Sequence, residues 1–135
     1  MGALQPLFDR LAAIKSSFPT QQWTWDARFE MVAATFASKV EAQARASAAL
    51  GLPDAWTPGT LAQAPAGPRA MCEDSGGLRP GQLLLSGAEV AGVAPFGLWW
   101  PWGSGTTLTL RIGLAGSAIS AEHHAQLRAA FGVAT

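Results

Sequence analysis

Residues Thr106 to Leu114 alternate without a break: Leu108, Leu110, Ile112 and Leu114 project to one side, and Thr107, Thr109, Arg111 and Gly113 to the other. This period of two fits a strand with one buried face and does not fit a helix. Immediately before it, Gly103-Ser104-Gly105 reads as a three-residue hairpin loop, because glycine accepts the positive backbone angles of such a turn. Closing the hairpin there sets Trp102 opposite Thr106, Trp100 opposite Leu108, Leu98 opposite Leu110 and Phe96 opposite Ile112. Every large apolar side chain except Trp99 then shares one face, and a slip of one residue would divide them between the two.

The other elements are placed around this hairpin. Leu4, Leu7, Phe8, Leu11, Ile14 and Phe18 recur at three- and four-residue steps, which predicts a helix over 4–18. A second helix is expected from Asp26, as its cap, to Leu50, with Phe29, Val32, Phe36 and Val40 buried and an Ala-rich remainder; Gly51 and Pro53 stop it. Residues 51–80 hold five prolines and five glycines and read as a long loop with a short helix around Thr57 to Ala64. Gln82 to Ser86 and Ala88 to Val93 add strands, turning near Ser86-Gly87. Ser117 or Ser120 caps a last helix through Phe131, with His124, Leu127 and Phe131 as its stripe and Gly132 as its stop.

This order predicts one α+β domain over 1–135: two N-terminal helices, an antiparallel meander of three to four strands and a C-terminal helix, the helices packed on one face of the sheet. At 135 residues and 49% hydrophobic content, the chain has the material for one core.

Charge narrows the partners. Only 13% of residues are charged, nine basic against nine acidic, and the basic ones are scattered singly from Arg10 to Arg128. Nucleic-acid binding needs clustered cations to neutralise phosphates, so none is expected. The longest uncharged run, between Glu89 and Arg111, contains Pro95 and Pro101 and four glycines, so no membrane-spanning helix is expected there. Asp9 and Arg10 interrupt any secretory-signal stretch, and the lone Cys72 makes no internal disulfide; the expected compartment is cytoplasmic. Seven Arg against two Lys, many Ala and Gly, and no Asn or Tyr suggest a GC-rich bacterial source.

Candidate chemistry centres on tryptophan. In Leu98-Trp99-Trp100-Pro101-Trp102, the expected register buries Trp100 and Trp102 and turns Trp99 outward, beside Thr107, Thr109 and Arg111, where the guanidinium can stack on it. Pro101, lacking an N–H, suggests an edge strand. Trp99, Pro101, Thr109 and Arg111 are therefore the candidate partner-binding residues. The expected role is that of a non-enzymatic bacterial module which binds a protein partner, or a second copy of itself, through the Trp-bearing hairpin and the Ala-rich helix.

The alternative is a small-molecule site or minor enzyme where the 51–80 loop meets the sheet, with Trp56, Cys72, Glu73, Asp74 and Arg79, together with Arg111, as lining groups. Two carboxylates beside Cys72 oppose thiolate formation, so catalysis by it is not expected. His123 and His124 are adjacent and diverge on a helix, which does not suit a shared metal ion; no metal site and no cofactor are expected. His124 reads as half-buried and His123 as solvated. Gly103-Ser104-Gly105 precedes a strand, not a helix, so it makes no phosphate loop.

Overall fold

A computed structural model describes residues 2–134 and contains four α-helices on a six-stranded antiparallel sheet. In chain order the elements are α1 (Gln5–Ser17), β1 (Thr24–Asp26), β2 (Met31–Ala37), α2 (Glu41–Ala48), β3 (Asp54–Trp56), α3 (Ala66–Asp74), β4 (Leu83–Ser86), β5 (Ala94–Pro101), β6 (Thr107–Ala115) and α4 (Ala121–Ala130). The strands lie in the order β1-β2-β6-β5-β4-β3. The α+β class is as expected. Strand number and helix placement differ from the expectation, and the reasons are local.

The predicted helix over Asp26–Leu50 is a hairpin followed by a short helix. Asp26 carries the short polar side chain expected of a cap, but its Oδ1 accepts from the backbone N–H groups of Arg28 and Phe29, at 3.1 and 3.4 Å, and starts a turn. Four residues later Glu30 takes a left-handed backbone (φ 58°), its N–H donates to the Asp26 carbonyl at 2.8 Å, and β2 runs back along β1. Val32 and Phe36 satisfy both a helical step of four and a strand step of two. The strand prevails because Val32, Ala34 and Phe36 all reach the core on one face. Helix α2 keeps only the end of the Ala-rich stretch. Ala44 and Ala48 are buried, and Ser47 Oγ donates to the Ser17 carbonyl at 2.9 Å, tying α2 to the end of α1.

The 51–80 segment is not a structureless loop. It supplies edge strand β3 and helix α3, as well as a 3₁₀ turn at Leu61–Gln63. Pro68 sits in the first turn of α3, where backbone N–H groups lack intrahelical partners, so the ring is accommodated. Of the second expected strand, Ala88–Val93, only an isolated bridge between Val90 and Val93 forms, across a tight Ala91-Gly92 turn.

The helices do not share one face. Leu7, Leu11 and Ile14 of α1, Ala44 and Ala48 of α2 and Leu127 of α4 pack against the inner face, where Val32, Phe36, Leu85, Trp99, Leu108, Leu110, Ile112 and Leu114 meet them. Phe18, Trp23, Phe36, Phe131 and Trp99 form a chain of ring contacts there, with centroids 4.4–5.5 Å apart. On the outer face, Cys72 of α3 packs in a second cluster with Leu84, Ala94, Phe96, Leu98 and Ala115. Gly113 makes room for it: a Cβ there would lie 2.9 Å from the Phe96 ring, which covers this glycine across the β5–β6 pair.

That second core accounts for the register. The β5–β6 loop is Gly103–Thr106, four residues long, closed by Trp102 N–H donating to the Thr107 carbonyl at 3.0 Å. Trp100 thus pairs with Thr109 and Trp99 with Leu110, one residue away from the expected pairing. Because α3 covers the outer face, Phe96 and Leu98 are buried there while Trp99 points inward. The slip costs no burial of these groups. Both prolines of β5 fall where this register spares them: by the alternation that Trp102 sets, Pro95 and Pro101 face β4, which ends at Leu83 opposite Trp99 and at Ser86 opposite Phe96. Pro101 is therefore not on an edge strand; β5 is interior, and its neighbour stops before it.

Candidate functional site

Helix α3 covers only one end of the outer face. At the hairpin end the sheet is open, and alternation places Ala33, Thr35 and Ala37 of β2, Thr107, Thr109 and Arg111 of β6, and Trp100 of β5 together there. Trp102 lies across it. Its Nε1–H donates to Thr109 Oγ1 at 2.8 Å, and Thr109 Oγ1 shares a second hydrogen bond of 2.8 Å with Thr35 Oγ1. The indole is held by its polar end, so the 49% of Trp102 that remains exposed offers mainly ring carbon to a partner.

Beside it, Arg111 Nε donates to Asp26 Oδ2 at 3.3 Å, and the guanidinium carbon stands 4.7 Å from the Trp100 ring centroid. Both members of this ion pair are mostly shielded, with side chains 18% and 23% exposed. Arg111 Nη1 and Trp100 Nε1 are buried and have no hydrogen-bond partner within the chain. The open face therefore combines a pinned indole, hydroxyls and a cation balanced by its own carboxylate partner.

One edge adjoins this face. The Ser38 N–H donates to the Thr106 carbonyl at 2.9 Å, which sets the alternation along β2: Thr35 and Ala37 turn their backbone N–H and C=O groups away from β6. Strand β1 pairs with β2 only as far as Ala33, so no strand lies beside those groups.

Of the four candidate partner-binding residues, Thr109 and Arg111 lie on this face, Pro101 is exposed at its border, and Trp99 is a core residue, 1% exposed. The outward tryptophans are Trp100 and Trp102, and Arg111 stacks on Trp100. The expected outward position of Trp99 is corrected by the four-residue loop. Asp26 and Thr35 join the site unforeseen, since the helix assigned to that stretch hid the β2–β6 pairing.

The five candidate pocket residues are not brought together. Trp56 Nε1–H donates to Ser86 Oγ at 2.9 Å on the β3–β4 edge, Cys72 is fully buried, and Glu73, Asp74 and Arg79 are exposed. Burial, followed by the Glu73 carboxylate, pushes the Cys72 thiol up to about 11, so it is an inert core group at neutral pH. None of the five lines any of three cavities found among the described residues. One of about 530 Å³ lies between the start of α1, the Ala91-Gly92 turn and the start of α4; one of about 490 Å³ lies between Pro53, Pro65–Pro68 and the Ser86–Glu89 loop. The third, about 190 Å³, opens between α3, the sheet and α4 beside Glu30 and His124.

The histidines have separate roles. His123 Nδ1 accepts from the Ser120 N–H at 3.0 Å while its own N–H donates to Ser120 Oγ, closing a capping box at α4. His124 Nδ1 lies 3.0 Å from Glu30 Oε2. No group of three or more His, Cys, Asp or Glu that could hold a metal ion occurs among the described residues, and none of their helices is long and apolar enough to cross a membrane.

These features define a layered α+β domain with one open, aromatic sheet face. No protein-family model, curated protein or solved structure matches the chain.

Proposed function

We propose that this protein is a non-enzymatic interaction module that binds an extended segment of a protein partner along β2 and across the open face, with Trp102 and Trp100 as anchors. The observation that carries this reading is the meeting of an unpaired strand edge at Thr35 and Ala37 with a pinned, half-exposed indole at Trp102. A strand adding to the edge gains main-chain hydrogen bonds, and alternate side chains reach the indole for specificity. Aromatic and Arg side chains are the groups that most often dominate such interfaces. The Ala-rich helix is not needed for this reading, because Ala44 and Ala48 are already used against the core.

Selection of binders from a random peptide library tests it. Enriched peptides should lose about tenfold or more in affinity for Trp102→Ala. They should do the same for Thr35→Pro, which removes an outward edge N–H. Enriched peptides that bind both variants like the parent chain, or no enrichment at all, would refute it. A second copy on the same edge would appear in sedimentation as a dimer that Thr35→Pro dissociates.

A further inference from the structure

We infer that the cavity beside His124 is a binding site for a small monocyclic aromatic molecule bearing one hydroxyl group, which His124 Nε2 accepts as a hydrogen bond. Five elements build it: Phe29 and Glu30 of the β1–β2 turn, Met71 of α3, Phe96 and Leu114 of the sheet, Gly116 and Ile119 of the β6–α4 link, and His124 of α4. The walls are apolar except for Glu30 and His124. A volume of about 190 Å³ suits a single six-membered ring, since an apolar cavity of roughly 150 Å³ holds benzene.

The polar end is oriented. Glu30 Oε2 stands 3.0 Å from His124 Nδ1, so in the neutral imidazole the Nδ1–H donates to the carboxylate and Nε2 is left as the acceptor. The Trp25 ring lies 5.9 Å from the imidazole and itself carries Arg128 at 4.6 Å, which fixes the far side. Glu30 holds its position in a left-handed backbone (φ 58°) where glycine is the easier residue. The left-handed backbone closes the turn through the Glu30 N–H on the Asp26 carbonyl, which glycine would do with less strain, and strained positions tend to cluster at ligand sites. Here the position delivers a carboxylate to the histidine at the cavity mouth. The inference is independent of the interaction surface at the hairpin end.

The test is an NMR titration of the full chain at pH 8 with phenol and, separately, with toluene, a ring of the same size that cannot donate. Phenol should shift the Phe96, Leu114 and Ile119 signals saturably, with a Kd on the order of millimolar. His124→Ala should weaken phenol about tenfold, one hydrogen bond's worth, and leave toluene unchanged within about twofold, which also shows the cavity intact. Glu30→Gly, which relaxes the turn, should weaken phenol about threefold or more and leave toluene unchanged. No saturable phenol shift, or a His124→Ala variant that alters both ligands alike, overturns the assignment.

Discussion

The Arg111 guanidinium rests over Trp100, 4.7 Å from its centroid, while Trp99 turns through the sheet to meet Phe36 at 5.5 Å. Two adjacent tryptophans thus serve opposite faces, as neighbours on any strand must. Trp99 is closed in by Arg45, whose guanidinium stands 5.3 Å from its ring, and makes part of the inner core. Trp100 supports a cation that Asp26 neutralises, and Trp102 completes the outer patch through Thr109.

The two faces predict opposite results for two similar substitutions. Trp99→Ala removes a fully buried indole and should destabilise the fold by about 3–5 kcal/mol. Trp102→Ala removes a half-exposed ring and one hydrogen bond and should cost about 1 kcal/mol. Denaturant unfolding of both variants checks this. A Trp99→Ala variant as stable as Trp102→Ala would return Trp99 to the surface and restore the three-residue loop.

How far the chain could be read in advance depended on whether a pattern admitted one period or two. Helices α1 and α4 and strand β6 follow directly from spacing, and the Ser120 cap is a local rule obeyed locally. Val32 and Phe36 fit helix and strand alike, and only the partner strand β6, distant in sequence, breaks the tie. Helix α3 is short, begins with Ala-Gly-Pro and buries chiefly Pro68 and Cys72, too little to register as a stripe. With α3 unrecognised, the large apolar groups fit best on one face of the sheet, and that register shifts the tryptophans by one. Thr109 and Arg111 were legible as outward residues because their polarity alone places them. Trp100 and Trp102 were not, since aromatic rings suit either face.

Asp26 joins the β1–β2 turn to the open face, and its two functions can be separated. Asp26→Asn keeps an oxygen for the Arg28 and Phe29 N–H groups but discharges the partner of Arg111. Asp26→Ala loses both and leaves a shielded guanidinium without its acceptor. The expected costs are roughly 1 kcal/mol for Asn and about 2–3 kcal/mol for Ala. Unfolding midpoints in the reverse order would show that the turn does not depend on this side chain.

Gly87 is held by space, not by backbone angle. A Cβ at this position would fall on the Gly51 carbonyl oxygen and crowd Pro95, so β4 and the end of α2 come together only with glycine here. Gly87→Ala should destabilise by roughly 1–3 kcal/mol, as overpacking does. Gly59→Ala, whose Cβ meets only Thr57 Oγ1 at 3.7 Å, should change stability by no more than about 0.5 kcal/mol. Thermal unfolding of the pair decides the point, and equal midpoints would contradict the close approach.

Cys72 links stability to alkaline pH. Burial and Glu73 raise its folded pKa from about 9 to about 11, so the folded state holds the proton more tightly than the unfolded chain does. For a group raised on folding, the contribution is complete below the unfolded value and is lost as pH rises through the folded one. Stability should therefore be insensitive to this thiol up to about pH 9 and fall between about pH 9 and 11. Cys72→Ala, though less stable at neutral pH because it leaves a gap under α3, should lack this component of the fall. The same burial predicts that a thiol reagent at pH 8 modifies the native chain only as fast as it opens, and modifies the denatured chain at once. Rapid modification of the native protein, or parallel pH profiles for the parent chain and Cys72→Ala, would mean that α3 does not seal the outer face at this end.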